Sequence, residues 1–273
     1  MLNIEAIRSR TEAAVHQRIG DFRAQTAIVL GSGLASLTDD LENKHTFSYQ
    51  DIPGLKPSQV EGHSGRFAYG TLGGKPVLFL QGRPHWYEGT TNESFHVFIQ
   101  AIMAFGCSRI LMTNAAGAID PAIPVGGIVS ITDHINLQFR NPLIDIQTDS
   151  SRFVGLDAAY DPGLRAECAA IAKRHDIPLY EGVYASTLGP CFETPAEVRA
   201  FHILGASVVG MSTIPEVITA RFYGLAVAVL SVISNKAAGM DAEPLSHALT
   251  LSRAQLATGN MQILLHALIS QSD

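Results

Sequence analysis

The sequence predicts an α/β fold: one domain, residues 1–273, built on a central mixed, largely parallel β-sheet flanked by helices. Three observations carry that expectation. Short runs rich in β-branched and large apolar residues alternate with helical patterns along the whole chain. Those runs are continuously apolar rather than alternating, as strands covered on both faces require. Apolar residues make up 47% of the chain and charged residues 16%, a balance that supports a large core and argues against disorder. No linker, repeat or low-complexity segment interrupts the pattern.

Thr26–Leu30 is the first strand expected, followed by runs at 77–80, 110–113, 128–132, 182–186, 207–211 and 225–233. Between them Asn92 can cap a helix running to Phe105, with Glu93 in the first turn and Gly106 closing it. Phe95, Phe98, Ile99 and Ile102 fall on one face of that helix. Further helices are expected over 164–174, 195–204, 215–223 and 246–269. Residues 141–155 carry the weakest pattern and are expected to form a long loop.

The net charge of -6 is the wrong sign for a nucleic-acid or acidic-membrane surface, so any anion site must be a local pocket. Cys107, Cys168 and Cys191 are odd in number and contain no CxxC pair, which disfavours a disulfide framework or a thiolate metal cage. Charge in the first eight residues is unlike a secretory leader. The longest apolar run, near 225–233, is about half a membrane span. A soluble protein of the reducing cytoplasm is expected, with no bound metal.

In an open α/β sheet, ligands collect at the carboxyl ends of strands. After the run at 77–80 comes Gly82-Arg83-Pro84-His85-Trp86-Tyr87-Glu88-Gly89, which sets a guanidinium, an imidazole, an indole, a phenol and a carboxylate between two glycines. Arg83 offers a fixed fork of donors for phosphate or carboxylate, and His85 adds a further hydrogen bond or a proton. A tight turn in which Arg and Glu pair with each other is the plainer alternative. After Leu30 comes Gly31-Ser32-Gly33-Leu34, which departs from the dinucleotide fingerprint because Ser36 stands where Gly or Ala is wanted. Asn114-Ala115-Ala116-Gly117 follows Thr113, either as a tight turn or with amides facing a phosphate. Ser212 and Thr213 precede a helix whose first amides favour anions or simply need a cap. Gly62-His63-Ser64-Gly65-Arg66 is a loop with a central histidine. Glu193 precedes a helix, and Asn235 follows a long buried run. Each signal is modest, but their co-location is not.

In these motifs the chain resembles the trimeric purine nucleoside phosphorylases, over roughly residues 26–268. Besides the stretches above, the resemblance rests on Asp133-His134-Ile135-Asn136, Gly189-Pro190-x-Phe192-Glu193-Thr194, Val209-Gly210-Met211-Ser212-Thr213-x-Pro215-Glu216-Val217, Asn235 and His247. It implies a nucleoside phosphorylase-like fold and phosphate-dependent cleavage of purine nucleosides to free base and pentose 1-phosphate. No cofactor is implied, since inorganic phosphate is a co-substrate. Carried over by motif, Ser32, His63, Arg83, His85, the Ala115 amide and Ser212 form the phosphate site. Phe192, Glu193, Val209 and Asn235 form the base pocket, and His85, Glu193 and Asn235 carry the catalysis. Tyr87, Met211 and His247 contact ribose, joined by Phe153 from a neighbouring subunit of a homotrimer. Cys191 stands where the animal members have a small hydroxyl residue, and residues 237–241 look like the bacterial branch.

A 6-oxopurine has an N1–H that an ionised Glu193 can accept, and an O6 and N7 that the Asn235 amide can address. Adenine presents a bare N1 and a 6-amino group instead. Misplaced buried hydrogen-bond partners discriminate by up to about 10⁴–10⁵. Inosine and guanosine are therefore expected over adenosine, with xanthosine left open. A methylthioadenosine phosphorylase would be expected to carry an acid at Asn235 and a smaller residue at His247. A non-catalytic purine or anion binder on the same scaffold is the alternative from another class.

Overall fold

A computed structural model describes residues 1–56, 58, 60, 62–147, 152–241 and 246–271. Nine strands form one mixed sheet: β1 (Thr26–Leu30), β2 (Glu42–Ser48), β3 (Arg66–Leu72), β4 (Lys75–Gln81), β5 (Arg109–Ala118), β6 (Ile128–Asn136), β7 (Leu179–Ser186), β8 (Val208–Gly210) and β9 (Ala226–Lys236). Their order is β2-β3-β4-β1-β5-β8-β7-β6-β9, and β9 also pairs with β5, so the far half of the sheet closes on itself. The pairs β1–β4, β1–β5, β5–β9, β6–β7 and β7–β8 are parallel, while β2–β3, β3–β4, β5–β8 and β6–β9 are antiparallel. All five residues of β1 are buried, as are residues 227–235 of β9, which accounts for their unbroken apolar reading.

The helices are α1 (Ile4–Ile19), α2 (Asn92–Ala104), α3 (Pro162–Arg174), α4 (Pro195–Ile203), α5 (Ile214–Phe222), α6 (His247–Ala254) and α7 (Thr258–Ser270). They pack apolar side chains on the sheet from both sides: Phe98, Ile99 and Ile102 of α2 join one core cluster, and Leu164, Leu264 and Leu268 join another. The N-cap of α2 is Thr91, whose hydroxyl accepts from the Ser94 amide, and Asn92 instead donates to the Ile144 carbonyl. Gly106 closes that helix at φ 89°, its amide meeting the Met103 carbonyl.

Three further expectations are corrected. The single helix expected over 246–269 is two, α6 and α7, separated by a 3-10 turn, Gln255–Ala257. Asn114–Gly117 is not a turn, because β5 runs on through Ala118 beside β9. Asn235 likewise lies within β9 rather than after it. The antiparallel pair β2–β3 and helix α1 were not expected from the sequence. In α1 the buried stripe is Ile7, Thr11, Val15 and Ile19, and its threonine blurs the apolar period. Part of the loop expected over 141–155, residues 148–151, lies outside the described residues.

Candidate functional site

The carboxyl ends of β1, β4, β5 and β9 meet the start of α5 around a cavity of about 390 Å³. That is room for a ligand of nucleoside size. Two glycines permit the convergence. Gly82 has φ 103°, and a Cβ there would fall 2.6 Å from the Cβ of His63. At Gly31 a Cβ would lie 2.7 Å from the Asn114 Cα, so β1 and β5 approach at backbone distance only because it has none.

On the cavity wall three rings stack: His63 on His85 at 5.1 Å, and His85 on Tyr87 at 4.7 Å, with planes within 16°. Ser32 Oγ lies 3.1 Å from His63 Nε2. Burial, together with the nearby His85, Arg83 and His247, holds His63 well below the usual histidine range, so the ring is neutral at pH 7. His85 Nδ1 sits 2.7 Å from Glu88 Oε2, and Ser58 Oγ donates to Glu88 Oε1 at 2.9 Å. The carboxylate accepts from Nδ1–H and thereby fixes the imidazole's orientation. The pairing of Arg83 with Glu88 in a tight turn is absent. Glu88 takes His85, and Arg83 faces Glu216 at 3.6 Å.

Arg83 is 1% exposed but reaches the cavity wall. Its Nη1 donates to Thr213 Oγ1 at 2.7 Å, and its Nη2 donates to the Thr113 carbonyl. Thr213 stands at φ 76°, a conformation that a β-branched residue adopts only under strain. That turn aims its hydroxyl at three groups. Thr213 Oγ1 also accepts from Asn114 Nδ2 at 2.8 Å and lies 3.0 Å from Ser212 Oγ. With both lone pairs engaged, the Thr213 hydroxyl donates to Ser212 Oγ, and the Ser212 O–H is left to donate to a ligand.

Elsewhere in the cavity lining, Glu193 Oε1 accepts from Thr187 Oγ1 at 2.8 Å. Burial raises the Glu193 carboxyl, while its own backbone amide and the Thr187 hydroxyl pull it back down. Asn235 is 7% exposed; its Oδ1 accepts from Ser234 Oγ and its Nδ2 donates to the Lys236 carbonyl, each at 2.8 Å. Val209 and the exposed ring of Phe192 complete this wall. Met211, Tyr87 and His247, the first residue of α6, also line the cavity.

Every residue singled out from the sequence therefore lines this one cavity, except Phe153. Phe153 is 79% exposed, with the Arg152 guanidinium 5.4 Å from its ring centre. Val60, Ser234 and Thr250 also line the cavity, as do Asn114 and Pro190, which stood in the motifs without a role of their own. Val60 and Thr250 carry no sequence signal for it. Glu88 did carry one, an acid three residues beyond His85 on a tight turn. Among the described residues no group of three or more His, Cys, Asp or Glu side chains could hold a metal ion, and no helix is long and apolar enough to cross a membrane.

The family profile of the phosphorylase superfamily matches residues 25–270. The chain belongs to the phosphorylase superfamily. Within it, purine nucleoside phosphorylase 1 of Bacillus subtilis (strain 168) is 39% identical over 264 residues, covering 96% of this chain and 97% of that protein. The purine nucleoside phosphorylase of Mycobacterium tuberculosis is 38% identical over 268 residues, covering 98% and 97%. The crystal structure of Schistosoma mansoni purine nucleoside phosphorylase in complex with inosine superposes with a TM-score of 0.90 at 32% identity, covering 99% of this chain and 98% of that one. The same enzyme's complex with adenosine gives the same TM-score. This phosphorylase-superfamily chain thus shares its fold, not only its motifs, with nucleoside-bound relatives.

Proposed function

We propose that the chain catalyses the phosphorolysis of 6-oxopurine nucleosides such as inosine and guanosine, giving free base and (deoxy)ribose 1-phosphate for purine salvage. One observation carries this reading: a single cavity is lined both by anion donors and by the Glu193 carboxylate and the Asn235 amide. Phosphate takes donors from Ser32, Arg83, His85, the Ala115 amide and Ser212, with His63 beside them. Each charge-assisted bond contributes roughly 1.5–3 kcal/mol. Held there, the anion is placed for attack on the anomeric carbon and stabilises the positive charge that develops on the sugar. Glu193 accepts the purine N1–H, and Asn235 addresses O6 and N7 as negative charge moves onto the departing base. Phe192 and Val209 pack on the base; Tyr87, Met211 and His247 contact the sugar. No covalent enzyme nucleophile, metal or cofactor takes part.

Asn235 and His247 favour this reading over a methylthioadenosine phosphorylase. Incubating the protein with inosine, with and without phosphate, tests it. Hypoxanthine release only with phosphate is expected. Release without phosphate makes it a hydrolase, and phosphate binding with no turnover on inosine, guanosine, xanthosine or adenosine makes it a binding protein.

The chain works in the cytoplasm as a single domain within a homotrimer, in which Phe153 reaches a neighbour's sugar pocket. The exposed Phe139, Ile144 and Phe153, close in sequence, suit that contact. Light scattering is expected to give three times the monomer mass, and a monomer would remove the shared-site role.

Thr187→Val gives a pH test of the base pocket. Base binding needs Glu193 ionised, so it is lost as pH falls through that carboxyl's pKa. Without the Thr187 hydroxyl the pKa rises and the loss begins at higher pH. The acid limb of kcat/KM for inosine is expected to move up by about half a unit to one unit, with Thr187→Ser restoring it. An unmoved limb would detach Glu193 from base recognition.

A further inference from the structure

A counter-charge lies buried behind the phosphate site. Glu216, in the first turn of α5, is 0% exposed, and its Oε1 is 3.6 Å from Arg83 Nη1. Neither carboxylate oxygen makes a well-formed hydrogen bond to a described residue, although the backbone amides of Thr213 and of Glu216 itself favour its charged form. Arg83's other hydrogen-bond partners are neutral: the Thr213 hydroxyl and the carbonyls of Thr113 and Val29. Glu216 is thus its only ionic partner among the described residues.

A buried pair kept for stability is closed by direct, preferably bidentate, hydrogen bonds, because two desolvated charges are otherwise costly. Here the carboxylate faces the guanidinium without saturating it. A fully buried acid standing directly behind a cavity-lining arginine calls for a functional reason. Burial pushes the Glu216 carboxyl up; Arg83 pulls it down most strongly, followed by its own amide, the nearby His85 and the Thr213 amide.

We propose that Glu216 is a resident counter-anion of the phosphate site, competing with the incoming anion for Arg83 and so setting how tightly phosphate and the sugar phosphate product are held. The inference rests on the phosphate role of Arg83 argued above. An anion entering the phosphate site meets a guanidinium whose charge is already partly offset. Very tight ground-state binding of phosphate would add nothing to the chemical step and would slow release of the phosphorylated product. Glu216 does not touch substrate; it acts through Arg83 as a positioning and affinity-setting residue.

The test is the affinity of the whole, nucleoside-free protein for inorganic phosphate by titration calorimetry, with hypoxanthine affinity as control. Glu216→Gln keeps the shape and removes the charge. Its phosphate Kd is expected to fall about tenfold or more, as expected when a like charge a few ångströms away is removed from a poorly screened site, while hypoxanthine affinity stays within about twofold. Glu216→Asp draws the charge back from Arg83 by one methylene and is expected to tighten phosphate by about two- to threefold. It also keeps the test open should the glutamine variant not fold. In either folded variant, unchanged or weaker phosphate binding overturns the proposal and leaves Glu216 as a mere fastening of α5 to Arg83. Absence of phosphate binding by the unaltered protein at millimolar concentration overturns instead the functional reading beneath it.

Discussion

Glu193→Gln is expected to lower kcat/KM for inosine by about 10²–10³, the loss typical when one preorganised charge-stabilising group is removed from an active site. The structure gives the reason in donor and acceptor terms. Thr187 already donates to Oε1 of Glu193, so the carboxylate has one oxygen engaged and one left for the purine N1–H. Glutamine has a single oxygen for two donors that come from different sides. Whichever way its amide turns, an N–H faces either Thr187 or the base. Steady-state kinetics on inosine check this, with phosphate affinity as the control that the rest of the cavity is intact. A loss smaller than tenfold would remove Glu193 from the reacting end of the site.

Asn235→Asp is expected to raise the ratio of kcat/KM for adenosine to that for inosine by about 10²-fold. Ser234 Oγ donates to Asn235 Oδ1, and that bond survives the change. Asn235 Nδ2 now donates to the Lys236 carbonyl; an aspartate oxygen there would face another acceptor. It must turn away or take a proton, and a 6-amino group gives it the donor it lacks. The adenosine complex of the Schistosoma enzyme makes the ratio, rather than adenosine activity by itself, the quantity to measure. An unchanged ratio would show that Asn235 does not read the 6-position.

How much of this was legible in the sequence follows from what each segment buries. β1 and β9 were visible because they are covered on both faces and read as unbroken apolar runs. β2, Glu42–Ser48, is mostly exposed and polar, so no apolar period marks it. Small or polar residues at Asn114–Gly117 and Asn235 suggested turns. Here they lie within strands that run on beside one another, with a register shift at Ala116/Gly117. The cavity residues were legible because strand ends carry chemistry in this fold class and the motifs kept their order. Their supports were not: Glu88 behind His85, Thr187 behind Glu193 and Glu216 behind Arg83 are pairings through space. Only the first is close enough in sequence to leave a local trace. Phe153 has no place in its own chain's cavity, and its assignment stands or falls with the trimer.

Strand β2 bears on how copies of this protein meet. The sheet closes on itself at β5–β9, and β2 is its outer strand at the other end. That strand runs Glu-Asn-Lys-His-Thr before its first buried residue, Phe47; Asn43 has φ 50°, and the register slips between Glu42 and His45. Charges and a kink of this kind stop a neighbour from continuing the ladder. Backbone-to-backbone growth, which has no natural end point, is closed to this chain. Any contact between copies must then be made by side chains, and a single substitution can undo such a contact.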